Sequence, residues 1–122
     1  MATLKPTLTL ISADATSDAL SITVTDTLTT TNPSINLARV SVLHTGSGTE
    51  VITAAASNPH TYFYAKNLDS TNYIICRNAA GNEWGRLAPG EFMFIAVAAA
   101  VGIEFLAVTA TCELEYGYWS KS

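Results

Sequence analysis

Charge is what this sequence has least of. Asp, Glu, Lys and Arg make up 13% of its 122 residues, about half the share usual in soluble domains. The six Lys and Arg stand apart at Lys5, Arg39, Lys66, Arg77, Arg86 and Lys121, and the net charge is −4. Nucleic-acid affinity rests on clustered cations that neutralise phosphates, so DNA and RNA are not expected partners. Histidine is confined to His44 and His60, beside turns, and no Gly-x-Ser-x-Gly elbow or other nucleophile signature accompanies them; a hydrolase triad has nothing to build on. Cysteine is limited to Cys76 and Cys112, far apart and without a Cys-x-x-Cys pair. They do not make a zinc site and read as small buried apolar residues rather than a disulfide. No helix of convincing length with caps is visible. The longest uncharged apolar run, Phe92 to Ile103, is too short for a bilayer, which takes about 20 helical residues to cross. The N-terminus lacks the apolar core of a secretory signal, and Pro6 opposes a presequence helix, so synthesis in the cytoplasm is expected.

What the chain has in quantity is β-pattern. Apolar residues reach 48%, and threonine, serine and asparagine take the outward positions that charge leaves unfilled. Leu4, Leu8 and Leu10 alternate with Thr7 and Thr9 around Pro6, which suits a strand beginning after the proline. Leu20, Ile22, Val24 and Leu28 share one face against Thr23, Thr25, Thr27 and Thr29, the pattern of a half-buried strand. Ala38 to His44 places Val40 and Val42 inward, and Thr45-Gly-Ser-Gly48 reads as a hairpin connection to Glu50–Thr53. Ala54 to Pro59 is either a short helical turn or a loop.

The centre of the chain is His60 to Val97, read as three strands, apolar runs punctuated by polar turn clusters at 67–72, 78–82 and 88–90. Ala98 to Gly102 makes a turn or short helix. The last segment sets Leu106, Val108, Ala110, Cys112, Leu114, Tyr116 and Tyr118 on one face, as one long strand or as two joined near 110–112. The expectation is an all-β fold: one antiparallel two-sheet β-sandwich domain over 1–122 of about eight strands, jelly-roll-like first and immunoglobulin-like second, with residues 1–6 available as an extended arm.

Each candidate for chemistry meets a plainer explanation. Asn67, Asp69 and Asn72, with Glu83, offer the oxygen ligands that calcium favours, but Asn and Asp also cap turns and fix hairpin register. Pro89 and Gly90 read as a strand entry. Glu113 and Glu115 share a strand face, a spacing open to a glycosidase pair and equally to a solvated strand. Tyr62, Tyr64, Tyr73, Trp84, Tyr116, Tyr118 and Trp119 suit either sugar stacking or core and interface packing, and packing is preferred. Tyr62, Tyr64, Trp84, Tyr118 and Trp119 are the interface candidates. No catalytic residue, metal site or cofactor is expected, and no enzyme.

One resemblance goes further. Tyr64-Ala-Lys-Asn67-Leu-Asp69-Ser-Thr-Asn72-Tyr73, then Gly81-Asn-Glu-Trp84, then Arg86-Leu-Ala-Pro89-Gly90-Glu91, and a run ending Glu115-Tyr-Gly117, looks like small structural proteins of tailed bacteriophage particles. It spans about residues 62–117. It implies a virion component made in the host cytoplasm: a capsid decoration or cement protein on the head surface, whose partners are the major capsid protein and itself, as a homotrimer. The alternative is a carbohydrate-binding β-module of a tail or fibre, with Trp84, Tyr62 or Tyr64 as platforms. The resemblance carries over no active-site residue.

Overall fold

The structure is a computed structural model and describes residues 2–31, 37–53 and 61–121. It is all-β, with twelve strands among the described residues, paired antiparallel, and a single 3₁₀ turn at Ala99–Val101. The expected short-helix reading of 54–59 falls outside the described residues, as does His60.

Eight strands build two four-stranded sheets. In chain order they are β5 (Ala38–Val42), β6 (Thr49–Ile52), β7 (Thr61–Asn67), β8 (Ile74–Arg77), β9 (Glu83–Leu87), β10 (Phe92–Val97), β11 (Ile103–Ala107) and β12 (Cys112–Ser120). One sheet runs β10-β7-β12-β5 and the other β6-β11-β8-β9. The first of these eight strands pairs with the last, the second with the seventh, the third with the sixth and the fourth with the fifth, as if one long hairpin bent at 78–82 had been rolled up.

Alternation explains the core. Val40 and Val42 of β5, Phe63 and Ala65 of β7, and Cys112 and Leu114 of β12 lie on one sheet's inner face. Ile52, Ile74, Cys76, Leu87, Ile103, Phe105 and Ala107 come from the other sheet, and all join one apolar cluster. Phe63 stacks on Phe105 across it with ring centroids 5.9 Å apart. Burying such a side chain stabilises the fold by roughly 1.5–3 kcal/mol. Two sheets sharing one core agree with the expected sandwich.

The first thirty residues depart from expectation. Strand β1 (Ala2–Leu4) pairs with β4 (Leu28–Thr30), which continues toward the end of β12 through a Thr30–Lys121 bridge. Strands β2 (Thr7–Ser12) and β3 (Leu20–Thr25) pair only with each other. The expected count of about eight already held a strand after Pro6 and one over 20–28; it rises to twelve because β1 and β4 are separate strands, the centre of the chain holds four strands rather than three, and the end of the chain forms two. The apolar face of Leu8, Leu10, Ile22 and Val24, which the pattern assigned to the core, lies in solvent. Alternation marks a face that wants cover; it does not say that the same chain supplies the cover.

Three local expectations also change. The connections at 45–48 and 67–72 are not hairpins, because β5 and β6, and likewise β7 and β8, lie in different sheets. Of the polar clusters, 78–82 is the one that closes a hairpin, between β8 and β9. The end of the chain forms two strands, and the break at 108–111 resets the alternation: Phe105 and Ala107 are buried in β11, not Leu106, while Cys112 and Leu114 keep the expected face of β12. Period-2 reading holds within a strand and is lost where the chain changes sheets.

Candidate functional site

The polar residues singled out in the centre of the chain converge on one crossing point. Asn67 ends β7 fully buried. Its amide nitrogen donates to the carbonyls of Asn72 (2.9 Å) and Leu87 (3.1 Å), and its side-chain oxygen accepts from the Asp69 amide (2.9 Å). Its backbone N–H reaches the Glu91 carbonyl and its carbonyl accepts from Gly90. Asp69 turns one carboxylate oxygen onto the N–H groups of Thr71 and Asn72. These two donors, Asn72 first, hold its carboxyl below the ordinary value. Gly90 takes a φ of +80°, which a side-chain-bearing residue adopts at a cost. Asn67, Asp69, Asn72, Pro89 and Gly90 thus belong to one knot that ties both sheet crossings together. Of the oxygens weighed for calcium, the Asn67 amide oxygen and one Asp69 oxygen accept from backbone N–H groups and Glu83 accepts from the Arg86 guanidinium; among the described residues no cluster of three or more His, Cys, Asp or Glu could hold a metal.

The other chemical candidates are dispersed. His44 faces Thr111 across 3.4 Å. Both cysteines are free and buried. Burial, with the Glu83 carboxylate adding to it, pushes the Cys76 thiol up to about 12; burial followed by the Asp69 charge raises Cys112 as well. Glu115 accepts a 3.0 Å hydrogen bond from the Tyr64 hydroxyl and lies 4.0 Å from Arg39. Burial first, then this bond, raises the Tyr64 phenol above its ordinary value. The Arg77–Glu104 ion pair, at 2.5 Å, is the most sheltered one among the described residues.

The aromatic candidates divide between the sheets. Trp84 sits on edge strand β9, where the β8 register slips past it, and is half exposed. Tyr62 and Tyr64 lie on β7 in the opposite sheet, so the structure does not bring the three sugar-platform candidates together. Tyr62 is buried and stacked on Phe94 with centroids 6.4 Å apart. Trp119 pairs in register with Tyr62 and folds back over Gly117, where an added Cβ would approach its ring to 3.2 Å. Tyr118, one residue earlier, packs against the core.

Two surface features escaped the sequence reading. A groove of about 340 Å³ lies between the N-terminal segment and the outer face of the β10-β7-β12-β5 sheet, with Leu4, Pro6, Tyr64, Phe92, Phe94 and Trp119 among its walls. A second hollow of about 330 Å³ joins Pro6, Leu8 and Val24 to Phe92 and Phe94. The outward phase of Phe92 and Phe94 on β10 was the available signal: aromatic residues at i and i+2 opposite inward Met93 and Ile95. Among the described residues, no helix is long and apolar enough to cross a membrane. Comparison of the chain with family models, curated proteins and solved structures finds no match.

Proposed function

We propose that this chain is a structural interaction protein, a decoration or cement protein of a tailed-bacteriophage head that binds the outer shell and works through contact area rather than chemistry. The observation that carries this reading is the placement of its apolar surface. Leu8, Leu10, Ile22 and Val24 on the ribbon, with Phe92 and Phe94 beside them, face outward, whereas the Asn67 amide and the Asp69 carboxylate are engaged in a turn and Glu83 and Glu115 bond to neighbouring side chains. A monomer whose work lay in a pocket would have little reason to leave such a face uncovered.

The virion assignment itself comes from the resemblance of residues 62–117 to phage particle proteins. Two four-stranded antiparallel sheets with nested strand pairing are compatible with it, and we read them as jelly-roll-like, an architecture used by viral capsid and lectin domains. In this reading the chain contacts the major capsid protein and further copies of itself as a homotrimer on the capsid surface, and it is not an enzyme. A standard interface of about 1,600 Å² per contact, repeated by symmetry, suffices to stiffen a shell.

Particles lacking the chain should release their DNA at a lower temperature than particles carrying it, and adding purified protein should restore the difference. Equal heat resistance with and without the chain rules this reading out. Half-exposed Trp84 keeps the second reading, a sugar-binding module of a tail or fibre, open to a test of its own. Reproducible glycan binding lost in Trp84→Ala, with the fold intact, would favour it.

A further inference from the structure

We infer that the β2–β3 ribbon is a self-association element: the face carrying Leu8, Leu10, Ile22 and Val24, continued by Phe92 and Phe94, is covered by another copy of this chain. The inference rests on the self-association part of the proposed function and is independent of capsid attachment.

The ribbon lacks what would let it stand alone. Leu8 pairs across with Val24 and Leu10 with Ile22, so these four side chains form one apolar face. They remain 48%, 55%, 44% and 42% exposed, and Phe92 across the hollow is 65% exposed. A two-stranded hairpin with no sheet packed on it is at best marginally stable in water. Its twelve strand residues include no charge and no proline, the devices that ordinarily stop an open edge from pairing with another chain. Edge strand β10 beside it is equally uncharged, Phe92 to Val97, whereas the edge strands β5, β6 and β9 each carry a charged residue. The unprotected edges and the apolar face therefore form one continuous region.

The exposed patch fits a second copy. Leu8, Leu10, Ile22, Val24, Phe92 and Phe94, each 37–65% exposed, form an apolar patch on the order of the few hundred Å² that marks a contact site on a typical monomer, and a two-fold contact sets the same patch against itself. Charge argues against a membrane as the occupant. The ribbon carries no basic residue to meet anionic headgroups, and its tip presents Asp14 and Asp18. Asp26 also lines the hollow between Leu8, Val24 and Phe92, so a second copy seats on the uncharged strand faces with the two Asp26 carboxylates kept apart.

Sedimentation velocity of the full chain from about 1 to 100 μM tests this with two paired variants. Leu10→Glu with Ile22→Lys places an opposite-charge pair directly across the ribbon, which keeps the hairpin closed while removing its apolar face. Thr9→Glu with Thr23→Lys makes the same change on the opposite face, at another directly paired position. The wild type should sediment as an oligomer, the first pair should weaken association at least 100-fold, and the second should leave it within about threefold. Phe92→Ser, outside the ribbon, should weaken it as well. Near-UV circular dichroism establishes that each variant keeps the packed body. A wild-type oligomer that the first pair leaves intact overturns the inference, yet leaves self-association through some other surface standing. Equal disruption by both pairs overturns the assignment to the apolar face. A wild type that stays monomeric at 100 μM overturns both the inference and the self-association behind it.

Discussion

Replacing Asn67 by alanine should unlock the crossing point that holds the two sheets in order. The side chain donates to two carbonyls and accepts from one amide, and the residue is fully buried. Its loss strands the buried Leu87 carbonyl, at about 1–3 kcal/mol, and weakens the partners at Asn72 and Asp69 by about 0.5–1.5 kcal/mol each. A small cavity adds to this. The total is roughly 3–5 kcal/mol, a large part of the 5–15 kcal/mol that holds a typical domain folded. With a urea m-value of about 1.5 kcal/mol/M, the midpoint should fall by about 2–3 M. Urea unfolding at pH 7, followed by tryptophan fluorescence, reads this directly. Asn72→Ala, which keeps the backbone carbonyl that Asn67 uses, should cost less than half as much. If Asn67→Ala shifts stability by less than about 1 kcal/mol, the crossings are held by their backbone bonds alone and the knot is incidental.

Other outcomes follow from the same geometry. The depressed carboxyl of Asp69 contributes stability that is present above its ordinary value of 3.8 and is lost as pH falls through its lower folded value, so Asp69→Asn should flatten the acid limb of the stability–pH profile. A profile unchanged by the substitution contradicts the turn assignment. The Cys76 thiol, raised to about 12, contributes stability in full below pH 9 and loses it as pH climbs toward 12. Wild type and Cys76→Ala should therefore differ in slope across that range, and neither native thiol should react appreciably with a disulfide reagent at pH 8. Phe63→Ala should cost about 3–5 kcal/mol because the ring is fully buried against Phe105; calorimetry showing a loss below 1 kcal/mol would mean that the two sheets do not share this core.

Much of the fold is legible from alternation alone. Val40 and Val42, and Cys112 and Leu114, point inward as their phase predicts, and Asn67 and Asp69 accept from backbone N–H groups of the 67–72 turn. What the pattern could not give is the identity of each strand's neighbour. The cluster at 67–72 has the composition of a hairpin loop but spans two sheets, since Asx chemistry closes a turn without specifying where the next strand goes. The reversed phase of Leu106 has the same origin, a sheet change hidden inside an apolar run. The surface is the least legible part. Leu8, Leu10, Ile22 and Val24 carry the signature of buried residues, and their exposure becomes visible only when β2 and β3 find no third strand. The aromatic candidates divide likewise: Tyr62 and Trp119 come together in register, while Trp84 lies on the opposite sheet, a separation that spacing in the chain does not encode.

The central claim is that this chain acts by covering surface on a phage head. A density map of intact particles that carry it tests this most directly. The account predicts copies on the outer face of the head, seated on the major capsid protein, with each 7–25 ribbon against a neighbouring copy of the same chain. Density confined to a tail or fibre, or particles with no copy on the head, would contradict it.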